Sequence, residues 1–222
     1  MRPVTRNSWP LKPNGDRKTF AVSNYKGFFK DLVINFGFYC SYCERPDSLD
    51  IEHVIPQSSP AGQHLVVDWN NLLLGCPSCN RDHKSNINNT RNGYVWPDEV
   101  DSFSHYEYFS SGDLKVKSTL DNADKTKAQA TIDLCGLAPP PKSNANQSKD
   151  FLWQQRMKVW VVAEKFKADY IAGNTTVGNI VTFSEMSGFW SIWITVFSGH
   201  DDVINAISDA YNGTKSDYCT PP

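Results

Sequence analysis

The 222-residue sequence has no long hydrophobic run. Its most apolar stretch, Gly188 to Phe197, is ten residues long and is interrupted by Ser191 and Thr195. A helix that spans a bilayer needs about 20 apolar residues, so no transmembrane segment is expected. The opening Met-Arg-Pro-Val-Thr-Arg-Asn-Ser has arginines but lacks the apolar core of a secretory leader, and the expected location is cytoplasmic. An excess of one charge sign is lacking too, with 22 Lys and Arg against 24 Asp and Glu. A formal net charge of −2 argues against a surface that grips nucleic acid all over. Internal repeats and low-complexity tracts are absent. What is present is 40% hydrophobic residues, 21% charged residues, and 7 Trp, 9 Tyr and 12 Phe. That composition belongs to a globular protein with an aromatic core and excludes disorder, collagen and coiled coil.

The balanced charge is unevenly placed. Residues 1–37 carry Arg2, Arg6, Lys12, Arg17, Lys18, Lys26 and Lys30 against two acids, while residues 94–222 carry eleven bases against sixteen acids. The basic segment is either a solvated arm or an arm that contacts phosphates. Of six cysteines, Cys135 and Cys219 stand alone and read as small buried hydrophobes. The other four form two knuckles, Cys40-Ser-Tyr-Cys43 and Cys76-Pro-Ser-Cys79. Two Cys-x-x-Cys pairs in a chain without a secretion signal point to a tetrahedral zinc site rather than to disulfides. Four thiolates saturate zinc, so this metal is structural and any chemistry lies elsewhere.

Periodicity places helices at Ser23–Phe36, Lys125–Cys135, 149–171, Phe183–Phe197 and Asp201–Tyr211. A short strand is expected over Leu49–Pro56, a second short segment, Trp69 to Leu74, leads into the second knuckle, and a helix follows from Asn80 to about Asn88. Residues 94–116 read as irregular with a hairpin near Ser111-Gly112-Asp113, and Pro139 to Gln147 as a linker. His64, His105 and His200 stand outside any motif.

Between the knuckles lies Glu52-His53-Val-Ile-Pro56. Asn71 and Leu72 precede the second knuckle, and Asn80-Arg81-Asp82-His83-Lys84 follows it. Phosphodiester hydrolysis needs a base to deprotonate water and a divalent cation to stabilise the pentavalent phosphate. His53 suits the base, because imidazole titrates near neutral pH. One ring nitrogen must then be held as a donor by an amide or a backbone carbonyl, and Asn71 is the candidate. Oxygen ligands from Glu52 and Asn80 suit Mg²⁺ or Mn²⁺. His83, three residues beyond Asn80, is placed to add a nitrogen ligand or a hydrogen bond to the phosphate. Adjacent strand residues face opposite ways, so Glu52 and His53 must divide the work, one at the metal and one at the water.

The order Cys-x-x-Cys, Glu-His-x-x-Pro, Asn-Leu, Cys-x-x-Cys-Asn-x-x-His resembles the HNH nuclease family, with its ββα-metal module. That resemblance implies His53 as general base, Asn71 as its orienting residue, and Glu52 and Asn80 at the metal. It leaves open whether Asn80 or His83 is the closer ligand. It also implies an α+β fold, in which a small zinc-stapled ββα-metal core is embedded in an α-rich protein. The expected division is a basic N-terminal arm and helix (1–37), the nuclease core (38–93) and an aromatic, mainly helical region (94–222).

Further segments are similar to the PtuB-type HNH effectors of Septu and related retron anti-phage systems. They are Phe36 to Arg45, Leu74-Gly-Cys76, Trp96-Pro-Asp98 with Phe103 and Tyr108, Gly188 to Phe197, and Gly213-Thr214 with Cys219. This implies an endonuclease acting in defence beside an ABC/SMC-like ATPase. DNA is the favoured target; RNA such as tRNA, or an inert zinc-stapled binding module, are the alternatives. The aromatic residues beyond 148 either fill the core or dock the ATPase.

Overall fold

The computed structural model describes residues 1–138 and 151–215. The expected linker at 139–147 and Cys219 lie outside the described residues. No described helix is long and apolar enough to cross a membrane.

The centre of the fold is a two-stranded antiparallel hairpin, β1 (Asp50–His53) and β2 (Leu72–Gly75), with His53 opposite Leu72 and Asp50 opposite Gly75. The first knuckle lies just ahead of β1. Its Ser41 pairs with Leu74 of β2 through both the main chain (2.8 Å) and the hydroxyl (3.3 Å). The second knuckle follows β2 directly and runs into one helical segment, Ser78–Lys84, wound as a π-helix. Helix α1 (Phe29–Phe36) packs on β2. The expected Ser23–Phe36 helix is divided: Val22–Phe28 is 3₁₀, with Asn24 outside helical geometry.

Beyond the hairpin β3 (Tyr106–Tyr108) and β4 (Leu114–Val116), α2 (Asn122–Cys135) is capped by Asp121, whose Oδ1 accepts from Asp124 N at 2.8 Å. It ends at Gly136, as the sequence suggests, and packs against the π-helical turn. The remaining helices are α3 (Leu152–Ile171), α4 (Val177–Ser187), α5 (Trp190–Val196) and α6 (Asp201–Ala210). Their shared core holds Trp190, Trp193, Phe197, Ile204 and Ile207, all fully or almost fully buried.

The continuous helix expected over Phe183–Phe197 does not form, because Gly188 and Phe189 interrupt it at positive φ. A side chain at Gly188 would place its Cβ 2.5 Å from the carbonyl oxygen of Glu44, so the chain passes the first knuckle only as glycine. Glu44 then caps α5. Its backbone oxygen accepts from Phe189 N (3.0 Å), and its carboxylate accepts from Ser191 N (2.8 Å) and Ser191 Oγ (2.5 Å).

The N-terminal arm is only partly the free basic segment that its composition suggests. Arg2 is buried, donating to the carbonyls of Phe36, Tyr211 and Asn212 and to the Thr214 hydroxyl. Arg6 is spent on Asp98 (2.7 Å) and the Trp69 carbonyl (2.6 Å). Val4 bridges to Thr214. Buried guanidiniums must be paired, and these two fasten the arm to the body rather than reach for phosphate. Lys12, Arg17, Lys26 and Lys30 remain exposed.

Candidate active site

The four knuckle sulfurs lie within 4.8 Å of one another and all four cysteines are buried. Cys43 Sγ and Cys76 Sγ are 3.7 Å apart. Zinc–sulfur bonds of about 2.3 Å in a tetrahedron put sulfurs about 3.8 Å apart, so the donor set fits a structural Zn²⁺. Arg45, itself buried, points Nη2 at Cys76 Sγ from 3.4 Å and offsets the negative charge of a four-thiolate site.

A cleft of about 440 Å³ opens beside the β1–β2 hairpin. Glu52, His53 and Asn80 all line it, together with Tyr25, Lys26, Arg81 and Asn86. His53 is 6% exposed, with the edge of its ring system against Tyr25 at a centroid distance of 4.8 Å. Its Nε2 is 3.0 Å from the Val66 carbonyl oxygen. A carbonyl can only accept, so Nε2 carries the hydrogen and Nδ1 is left as the acceptor. Burial, with some help from the Lys84 charge, holds the imidazole below its ordinary pKa against the opposing pull of the Val66 bond. Burial thus favours the neutral ring.

The group that fixes the ring differs from the sequence expectation. The Asn71 side chain bonds to the backbone rather than to the His53 ring. Its amide brackets Ile55, accepting from Ile55 N at 2.8 Å and donating to Ile55 O at 3.0 Å. It thereby ties down the chain leaving His53, while the ring itself is held by Val66.

Glu52 and Asn80 rise side by side because Gly75 lies beneath them. A Cβ there would stand 3.0 Å from Asn80 Cβ and 3.2 Å from Glu52 Cβ. Glu52 and Asn80 thus bring to one cleft the residue types, a carboxylate and an amide, whose hard oxygens would hold a small divalent cation. The Glu52 carboxylate is nearly inaccessible, and its Oε1 accepts from Lys84 Nζ (2.7 Å) and Tyr42 OH (3.1 Å). Burial raises its pKa, opposed by Lys84 and by both hydrogen bonds.

His83 is not brought to this group. It is exposed and absent from the cleft lining, and its ring lies over Gly136, where a Cβ would fall 2.4 Å away. The reason is local winding. Ser85 N bonds to Asn80 O, an i→i+5 step, so residues three apart no longer share a face as they would on an α-helix. Lys84 turns inward instead. Sequence reasoning missed Lys84, Tyr42, Tyr25 and the Val66 carbonyl, and no sequence signal marks a carbonyl or an inward lysine. Lys26 is visible in the sequence as part of the basic N-terminal segment, and Arg81 within the motif itself.

Residues 40–86 match the family model described as HNH endonuclease. The chain carries an HNH endonuclease domain. Its matched span begins at the first zinc-type cysteine, encloses the β1–β2 hairpin and ends just past the π-helical turn. The chain is also 28% identical to the Septu protein PtuB of Bacillus mycoides (strain KBAB4), over 41% of this chain and 41% of that protein. The match thus spans about two fifths of that relative's length.

Proposed function

We propose that this HNH protein is a metal-dependent endonuclease that hydrolyses phosphodiester bonds in nucleic acid, with DNA as the favoured target. The supporting observation is that His53, Glu52 and Asn80 line one cleft, with the His53 Nε2 on the Val66 carbonyl so that Nδ1 is left as the acceptor. His53 takes the proton from the attacking water at Nδ1 while Val66 keeps the ring from turning. Asn71 keeps the Ile55 backbone, and so the end of β1, in place. Glu52 and Asn80 would hold a Mg²⁺ or Mn²⁺ ion, which when bound supplies charge stabilisation to the phosphate and the leaving oxygen. Lys26 and Arg81 at the cleft rim attract the flanking phosphates. His83, turned onto Gly136, is left out of the ligand set.

The likeness to a Septu protein supports a role as an effector of anti-phage defence, in a Septu or related retron system, acting in the cytoplasm with an ATPase subunit. Trp190 and Trp193 are fully buried and so are core, whereas Trp153 and Trp160 are half-buried; with the exposed Val161, Phe183 and Met186 of α3 and α4 they are the candidate docking residues. The test is nicking of supercoiled plasmid by the full chain with Mg²⁺ or Mn²⁺, with and without the co-expressed ATPase, and with a tRNA pool as the competing substrate. Wild type should nick the plasmid, His53→Ala should not, and Asn80→Ala should need more metal for half-maximal rate. Equal nicking by wild type and His53→Ala would reject the assignment, and preferential tRNA cleavage would move the target to RNA.

A further inference from the structure

Lys84 is among the largest fully buried side chains in the protein, an uncommon place for a lysine. A buried ammonium has to be paired, and the identity of the partners is informative. Nζ donates to Glu52 Oε1 at 2.7 Å and to the backbone carbonyl oxygen of His53 at 2.8 Å. These partners are the two adjacent residues that carry the reaction in the reading above, one through its side chain and the other through its main chain. The π-helical winding of Ser78–Lys84 is what turns this side chain under β1. A buried ion pair is a poor source of net stability, and hydrophobic groups of similar volume commonly serve as well. Filling the core therefore gives no reason for a lysine here.

We propose that Lys84 is a positioning residue for phosphodiester hydrolysis. It locks the Glu52 carboxylate and the His53 end of β1 into one register, and it occupies one carboxylate oxygen so that the divalent ion is held loosely. The proposal rests on the nuclease reading. Lys84 is fully buried and absent from the cleft lining, so it acts through its two neighbours. Its charge opposes that of the ion, whereas its geometry supports the base. Removing it should thus pull metal affinity and turnover in opposite directions, which a merely structural defect would not do.

The experiment uses full-length protein and two variants, Lys84→Met and the smaller Lys84→Gln, each checked for zinc content and circular dichroism. Mn²⁺ affinity is measured by electron paramagnetic resonance, and plasmid nicking is measured at saturating Mn²⁺. Loss of a nearby positive charge should tighten Mn²⁺ binding by at least about 3-fold. Misplacement of the reacting groups should lower nicking by at least about 10-fold. Unchanged affinity and nicking in either folded variant would overturn the proposal, and so would a parallel loss of both. Failure of both variants to give zinc-loaded, folded protein would assign Lys84 to the fold alone and also overturn it. If wild type itself does not nick, the nuclease reading fails, while the Mn²⁺ measurement still reports on Lys84.

Discussion

The two halves of this protein are held together by different physics. Between residues 40 and 86 polar groups share the interior with Trp69, Leu72, Leu73 and Leu74: four clustered sulfurs, the Glu52–Lys84 pair and the Asn71 amide clamped on Ile55. In α3 to α6 the interior is mostly hydrocarbon, centred on Trp190, Trp193, Phe197 and Ile204. A module as small as the first cannot bury enough apolar surface to be stable alone, so metal and neighbouring helices must supply the rest. Glu44 is the join, because it closes the first knuckle and caps α5. The contrast implies that damage to the first half should be all-or-none and metal-dependent. Damage to the second should be graded.

The largest effect should come from the zinc site. Cys76→Ser, or stripping with a strong chelator, should unfold the module, because binding of a structural zinc is worth roughly 10–16 kcal/mol in small zinc domains. The measurement is zinc content together with thermal unfolding. A Ser variant that remained folded and lost only activity would erase the contrast. Next is His53→Ala, which should leave the fold intact and lower plasmid nicking by at least about 10², the scale of a lost general base.

The parts of this arrangement that were legible in the sequence are those in which chemistry fixes spacing. Two Cys-x-x-Cys pairs define a metal site wherever the strands run, and Glu52-His53 with Asn80 could be named before their geometry was known. Helix α2 was legible through Gly136, and α6 through its apolar spacing. The rest depends on contacts that sequence does not encode locally. Nothing in Gly188-Phe-Trp reveals that Glu44, far away in the chain, will cut one expected helix into α4 and α5. The rule that residues three apart share a face put His83 beside Asn80, and a π-helical turn cancelled it. Arg2 and Arg6 counted as free positive charge until their acceptors were located.

A graded effect is expected at Trp193. It is fully buried, stacks on Phe197 at 6.2 Å between centroids, and donates to Ser187 Oγ at 3.0 Å. Trp193→Ala should cost about 3–5 kcal/mol in denaturant unfolding, with zinc content unchanged. Zinc loss at low denaturant in that variant would show that the two halves unfold as one. A smaller effect is expected with pH. Burial lowers the pKa of His53, so the folded protein keeps Nδ1 free at neutral pH. Nicking should hold steady above about pH 6.5, the ordinary histidine value, and decline only as pH falls below it. Stability should weaken over the same acid range, because there the unfolded chain takes up the proton more readily than the folded one. A nicking profile centred above pH 7 would contradict the neutral, buried imidazole.

The smallest effect divides the basic residues by what they do. Lys26 is exposed at the rim of the cleft and its one ion pair among the described residues is with Asp50, at 3.8 Å, whereas Arg6 is largely buried against Asp98 and Trp69. A lysine that contacts a phosphate releases about one counterion, so Lys26→Ala should reduce the salt dependence of DNA binding by roughly one unit of logarithmic slope. It should leave thermal stability within about 0.5 kcal/mol of wild type, as surface substitutions do. Arg6→Ala should do the reverse, leaving the slope alone and lowering stability by about 1–3 kcal/mol, because it strands the buried Asp98 carboxylate with only Arg91. Binding isotherms at several salt concentrations, paired with unfolding curves, read both quantities on the same variants. If Arg6→Ala changed the slope as much as Lys26→Ala, the arm would be contacting nucleic acid after all. The division between anchoring and phosphate-binding charge would then have to be redrawn along the whole N-terminal segment.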